Sequence, residues 1–203
     1  DAEEAGKAMW EASGYTTLEQ MRACPTDKFQ EVMMTYMKTL KTFNGLPYSP
    51  CVDGQLLEAS VHDVALQNNE LDIPYMIGYT SEDIAPPVMK KAAVDWSLLL
   101  EKQGRQPAYV YCFSRDLPGE DMPAAQGGFG DMKGAFHSSE LWYMFGTLDK
   151  CWRPMEKVDY ELSERMVSYW TNFAKTGSPN GEGLPVWKPC TKADNHIQDL
   201  NVK

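Results

Sequence analysis

The chain has 203 residues, 43% apolar and 24% charged, and 19 Lys+Arg against 29 Asp+Glu leave a net charge of −10. That balance excludes a disordered chain. The acidic excess argues against nucleic acid as the main partner, because phosphate binding needs clustered Lys and Arg. No apolar run approaches the ~20 residues needed to cross a bilayer, so no membrane partner is expected.

Residues 1–30 hold no secretory signal, since Asp1-Ala2-Glu3-Glu4 is acidic and no apolar stretch follows it. The first residue is not Met, which points to a processed chain or to a piece of something longer. Five cysteines without C-x-x-C spacing exclude a zinc ribbon or a thioredoxin-type site. The odd count favours free thiols over a disulfide scaffold and leans toward a reducing, cytoplasmic compartment.

The first forty residues read as helical. Glu3 to Glu11 is helix-prone and stops at Gly14, and Thr17 starts a short helical turn that ends before Pro25. Phe29, Val32, Met33, Tyr36, Met37 and Leu40 fall on one helical face, started by Thr26-Asp27 and stopped by Asn44-Gly45. Ile73 to Tyr79 is a short apolar run bounded by turn residues and suits a buried strand. A helix ending at Gly104 follows, and Ala108 to Phe113 is a second β-prone run. Strand, helix and strand make a βαβ unit, so an α/β fold with parallel pairing is expected. A long loop from Ser114 to Gly134 holds several glycines but lacks both phosphate-cradle patterns. Asp159 to Lys175 is the last clear helix, with Leu162, Met166, Tyr169, Trp170 and Phe173 inward and Gly177 closing it.

Three histidines narrow the search for chemistry. His62 and His196 lie in polar stretches and read as surface residues. His137 sits where a glycine-rich loop meets a helix start, and loops held by a rigid scaffold are where catalysis concentrates. A metal reading of His137 and Glu140 lacks further ligands, so no metal or other cofactor is expected. Ser81-Glu82-Asp83 directly follows the first strand, at the sheet edge where α/β proteins build active sites. Two readings of it stand: a carboxylate that orients a histidine, or a helix cap with favourable first-turn charge.

These residues carry a resemblance. Ile77-Gly78-Tyr79-Thr80-Ser81-Glu82-Asp83 resembles the acid-bearing segment of type B carboxylesterases, the family of cholinesterases and p-nitrobenzyl esterases. The stretch Gly134-Ala135-Phe136-His137-Ser138-Ser139-Glu140-Leu141-Trp142-Tyr143-Met144-Phe145-Gly146 is similar to the family's histidine segment. Tyr169 to Asn180 resembles its helix and turn, Leu184-Pro185-Val186-Trp187 its following Pro and Trp, and Pro50-Cys51-Val52-Asp53-Gly54 its P-V-V-D-G.

The resemblance implies an α/β-hydrolase fold and ester hydrolysis, with His137 as base and Asp83 as its orienting acid, in the chain order of that fold. The family carries Glu followed by Gly where Asp83-Ile84 stand, which leaves Glu82 as the rival acid. Glu140 is expected as a polar partner near His137, and Trp142 and Phe145 as pocket or core residues. No G-x-S-x-G and no H-G-G-G oxyanion loop occurs in the 203 residues. The expectation is therefore the C-terminal part of a single α/β-hydrolase domain, with residues 1–70 mainly helical and 71–203 bearing the acid and the histidine. Its partners would be the upstream portion of the same esterase, carrying the serine, and a small ester. Two rival readings are a non-catalytic binding or adhesion module of this fold and a fragment with no function of its own.

Overall fold

The helices and strands follow from capping, periodicity and a few glycines, in a computed structural model that describes residues 2–39, 50–119 and 132–202. The described part divides into two compact units, Asp1–Asn69 and Glu70–Lys203.

The first unit is helical. It holds α1 (Ala2–Ser13), α2 (Leu18–Arg22), α3 (Thr26–Thr39) and α4 (Val61–Leu66). Gly14 ends α1 with φ +71°, a left-handed conformation that suits glycine. Thr17 and Gln20 form a capping box on α2, satisfying two otherwise orphaned donors. Along α3 the expected stripe is realised: Tyr36 is buried, and Phe29, Val32, Met33 and Met37 are half-buried. Leu40, with the Asn44-Gly45 stop signal, lies outside the described residues. His62 on α4 is exposed, as expected.

The second unit is built on a three-stranded parallel sheet, β1 (Met76–Thr80), β2 (Tyr109–Phe113) and β3 (Gln198–Leu200), in that spatial order. β1 begins three residues later than the apolar run suggested. Pro74 has no N–H to give a ladder, and Ile73 is left exposed. Strand β1 leads into α5 (Pro86–Lys102), whose first turn opens on Pro86 and which stops before Gly104 at φ +75°. The βαβ expectation is met. The third strand reads as a polar tail in sequence and pairs only because β2 offers it an edge.

Period-two alternation sorts the strand side chains onto two faces. Ile77, Tyr79, Val110 and Cys112 pack with Ala93 and Val94 of α5 and with buried Cys190. Ser97 joins these elements through hydrogen bonds: its Oγ accepts from Ala108 N (2.7 Å) and donates to Cys190 O (2.6 Å). On the other face Met76, Tyr109, Tyr111 and Phe113 meet α6 (Leu141–Met144) and α7 (Lys157–Thr176). Helix α7 starts two residues earlier than its pattern suggested, with Glu156 and Asp159 as a capping box, and Gly177 ends it at φ +75°. A Cβ at Gly177 would meet Pro74 Cγ at 2.7 Å, so this position needs both the conformation and the lack of a side chain. Leu162, Met166 and Tyr169 are fully buried along it, with Trp170 and Phe173 packed beside them. Trp187 sits at the centre of this layer. Its ring is edge-on to Tyr169 at 5.2 Å and to Tyr109 and Tyr111 at 6.2 Å each, and Asn180 brackets its main chain.

Arg115, just past β2, pairs with the fully buried Asp159 carboxylate, Nε to Oδ1 at 2.7 Å and Nη2 to Oδ2 at 3.3 Å. The same carboxylate accepts from Tyr143 Oη and from Glu156 N, both at 2.8 Å. Its four donors lie in the β2 exit, α6 and the start of α7. All five cysteines are free thiols, and none of the described helices is long and apolar enough to cross a membrane.

Candidate active site

Two loops meet at the C-terminal edge of the sheet. The first follows β1: Ser81 N donates to Phe113 O at 2.9 Å, and Glu82 N donates to Ala135 O at 3.0 Å. Glu82 and Phe136 form a short parallel β-bridge. The residues following each bridge partner are Asp83 and His137, so the backbone presents them as the next facing pair. His137 Nδ1 lies 2.8 Å from Asp83 Oδ1.

Asp83 is well supplied with donors. Besides the imidazole, Oδ1 accepts from Ile84 N at 2.8 Å, and Oδ2 accepts from Thr80 Oγ1 at 3.2 Å. Burial pushes this carboxyl up, but the Ile84 N–H, His137 and Thr80 together outweigh it and hold it below the usual aspartate value. Its side chain is 8% exposed, whereas that of His137 is 56% exposed. A proton on Nδ1, directed at that carboxylate, would leave Nε2 as the accepting nitrogen on an open ring.

The turn carrying His137 is held in uncommon backbone. Gly134 has φ +62° and Ser138 φ +68°, the left-handed region that costs a non-glycine residue roughly 1–2 kcal/mol. Ser139 N closes the turn on Phe136 O at 2.9 Å. Strained residues of this kind concentrate at functional sites. A Cβ at Gly134 would meet Glu82 Cγ at 2.6 Å, so the glycine lets the two loops approach.

The remaining sequence candidates separate. Glu82 is exposed and joins the site through its main chain rather than its carboxylate. Glu140 is half-buried, and its Oε2 is buried with no hydrogen-bond partner. Burial pushes the Glu140 carboxyl up and Asp83 adds to this, against its own main-chain N–H and His137. Trp142 and Phe145 are not brought together. Trp142 packs edge-on to Trp152 at 5.0 Å and to Phe136 at 6.2 Å, while Phe145 is 67% exposed. His196 is half-buried rather than at the surface, near Gln198 on β3, away from this pair in chain position and bonding. Much of the glycine-rich loop, residues 120–131, lies outside the described residues.

Sequence reasoning missed Tyr111. It stands opposite Gly78 in the β1–β2 register, and its ring occupies the space a Gly78 side chain would take. Burial raises its phenol, and the charges of Glu140 and Asp83 add to this. A glycine inside a strand is the signal that a close approach of this kind leaves in a sequence.

The match to known proteins now decides the family. The model of the carboxylesterase family covers residues 88–203, more than half of the chain, including His137 and starting beyond Asp83. The chain belongs to the carboxylesterase family. Carboxylesterase 5A of Canis lupus familiaris is 38% identical over 77 residues, 34% of this chain and 13% of that protein. A medium-chain fatty acyl-CoA hydrolase precursor of Anas platyrhynchos is 30% identical over 123 residues, 60% of this chain and 21% of that protein. A solved thermophilic PNB esterase superposes with a TM-score of 0.68 at 17% identity, covering 98% of this chain and 50% of that one. These carboxylesterase relatives share the α/β-hydrolase fold, and this chain spans about half of that solved structure and a smaller share of the curated relatives. A cavity of about 550 Å³ between α7 and residues 183–185, lined by Val158, Glu161, Arg165, Leu184, Pro185 and Val202, contains none of the site residues.

Proposed function

We propose that this chain is the C-terminal portion of a serine carboxylesterase, in which Asp83 and His137 are two members of a triad whose serine lies upstream. The observation that carries the reading is the 2.8 Å contact between His137 Nδ1 and Asp83 Oδ1, made by an ionised, donor-rich carboxylate to an exposed ring. Both of the chain's compact units would then be parts of one hydrolase domain.

The chemistry follows from the tautomer. Asp83 holds the Nδ1 proton, so Nε2 takes the proton of the serine hydroxyl as that oxygen attacks the ester carbonyl. Asp83 stabilises the imidazolium without accepting its proton, and Nε2 then protonates the departing alcohol. Water repeats the cycle on the acyl-enzyme. The substrate class is a small carboxylic ester. The upstream portion supplies the nucleophile and the backbone donors that hold the tetrahedral oxyanion, which are worth about 10²–10³ in kcat for one donor.

The isolated 203-residue chain is expected to hydrolyse no p-nitrophenyl ester above background. Adding the upstream portion, fused or as a folded partner, should restore turnover that His137→Ala abolishes and serine-directed organophosphates block. Robust turnover by this chain alone, lost with His137→Ala, would contradict the reading.

A further inference from the structure

Two carboxyl groups stand by one imidazole here. Asp83 receives four donors, from Ile84 N, Thr80 N, Thr80 Oγ1 and His137 Nδ1. Glu140, three residues after His137, has a buried Oε2 with no donor. The charged and titratable groups that act on Glu140 are His137 on its own turn, Asp83 on the β1–α5 loop and Tyr111 on β2. None of them is a fixed cation, and the one that can become positive is already engaged by Asp83. A buried carboxylate oxygen without a donor is costly, and two carboxyls sharing a site do not ionise equally. Glu140 has only its own main-chain N–H while most of the donors lie with Asp83, so the proton should stay on Glu140.

We propose that Glu140 is a positioning residue held as a neutral carboxylic acid, leaving Asp83 as the single anion that sets the charge on His137. The inference rests on the triad reading for its purpose. A second anion near the ring would favour the imidazolium before any proton had been taken from the nucleophile, and fewer molecules would hold the neutral base. Burial and the Asp83 charge raise the Glu140 carboxyl in the same sense, and the opposing pull of His137 is shared with Asp83.

The test is a ¹³C titration of the Glu140 side-chain carboxyl in the full 203-residue chain. Assignment comes from Glu140→Gln or, if that variant does not fold, from through-bond correlation to the Leu141 amide. The expected result is a midpoint raised far enough above the ordinary glutamate value of 4.5 that the carboxyl is still protonated at neutral pH, where the exposed glutamates have ionised. A carboxyl already ionised at neutral pH would overturn the proposal. Because burial alone also raises a carboxyl, the part owed to the site is read in Asp83→Asn, which should lower the midpoint. A midpoint unmoved by Asp83→Asn would leave a structural Glu140 and overturn the proposal too. The same samples separate this outcome from the triad reading. A downfield His137 Nδ1–H proton resonance, lost in Asp83→Asn, belongs to the triad geometry. Its absence from the parent chain would count against the triad while leaving the Glu140 midpoint to decide the protonation claim.

Discussion

The Asp83–His137 pair and the Asp159–Arg115 pair are both carboxylates facing a nitrogen base, at 2.8 and 2.7 Å, and they are built for opposite ends. Asp159 is 0% exposed and saturated, with donors from Arg115, Tyr143 and Glu156, and its partner can never lose its charge. Asp83 is as well supplied, but its partner is an open ring that can take and release a proton. One pair closes a core; the other leaves one nitrogen free to react. Distance alone does not tell them apart, whereas the exposure and chemistry of the partner do.

Removing the buried carboxylate is the harshest way to break the comparison. Asp159→Ala leaves the partly exposed Arg115 with only Glu156 Oε2 at 3.9 Å and frees Tyr143 Oη from its buried acceptor. Loss of one partner of a buried pair costs about 3–5 kcal/mol. Urea unfolding at neutral pH measures it. Burial pushes the Asp159 carboxyl up, but Arg115, the Glu156 N–H and the Tyr143 hydroxyl hold it below the usual 3.8. A depressed group contributes stability above its unfolded value and loses it as pH falls through the folded value. The gap between parent and variant should therefore be full at neutral pH and close below pH 3.8. A gap that widened toward acid would contradict the assignment.

Gly134→Ala comes next, at about 1–3 kcal/mol for an L side chain forced into a left-handed turn, and here the Cβ also strikes Glu82. The damage should reach the site: amide shifts around Glu82, Phe136 and His137 should move, while those around Arg115 and Asp159 stay in place. Asp83→Asn should be the mildest in stability, about 0–1 kcal/mol by thermal unfolding, because its ring partner is open to solvent.

The sequence exposes these features unequally. The βαβ unit was legible because its signals are local: two β-prone runs, a helix between them, and Gly104 to stop it. The α3 and α7 stripes were legible from their period. Strand β3 was not, since Gln198-Asp199-Leu200 has no apolar run and its pairing depends wholly on β2. The Arg115–Asp159 pair was hidden too, because the residues lie 44 apart and Asp159 reads as an ordinary helix-start carboxylate. Asp83 and His137 could be picked out singly, but no spacing rule favours Asp83 over Glu82. The Glu82–Phe136 bridge supplies the reason, and it is a tertiary contact.

For the proposed triad the most direct measurement is kcat for Asp83→Asn beside Glu82→Gln in the complete esterase that the proposal calls for, with both variants shown to be folded. Asp83→Asn should cost about 10⁴-fold, the size such a change has in serine proteases, at little cost in stability, and Glu82→Gln should cost far less. The reverse ranking would move the orienting role to Glu82 and contradict the account.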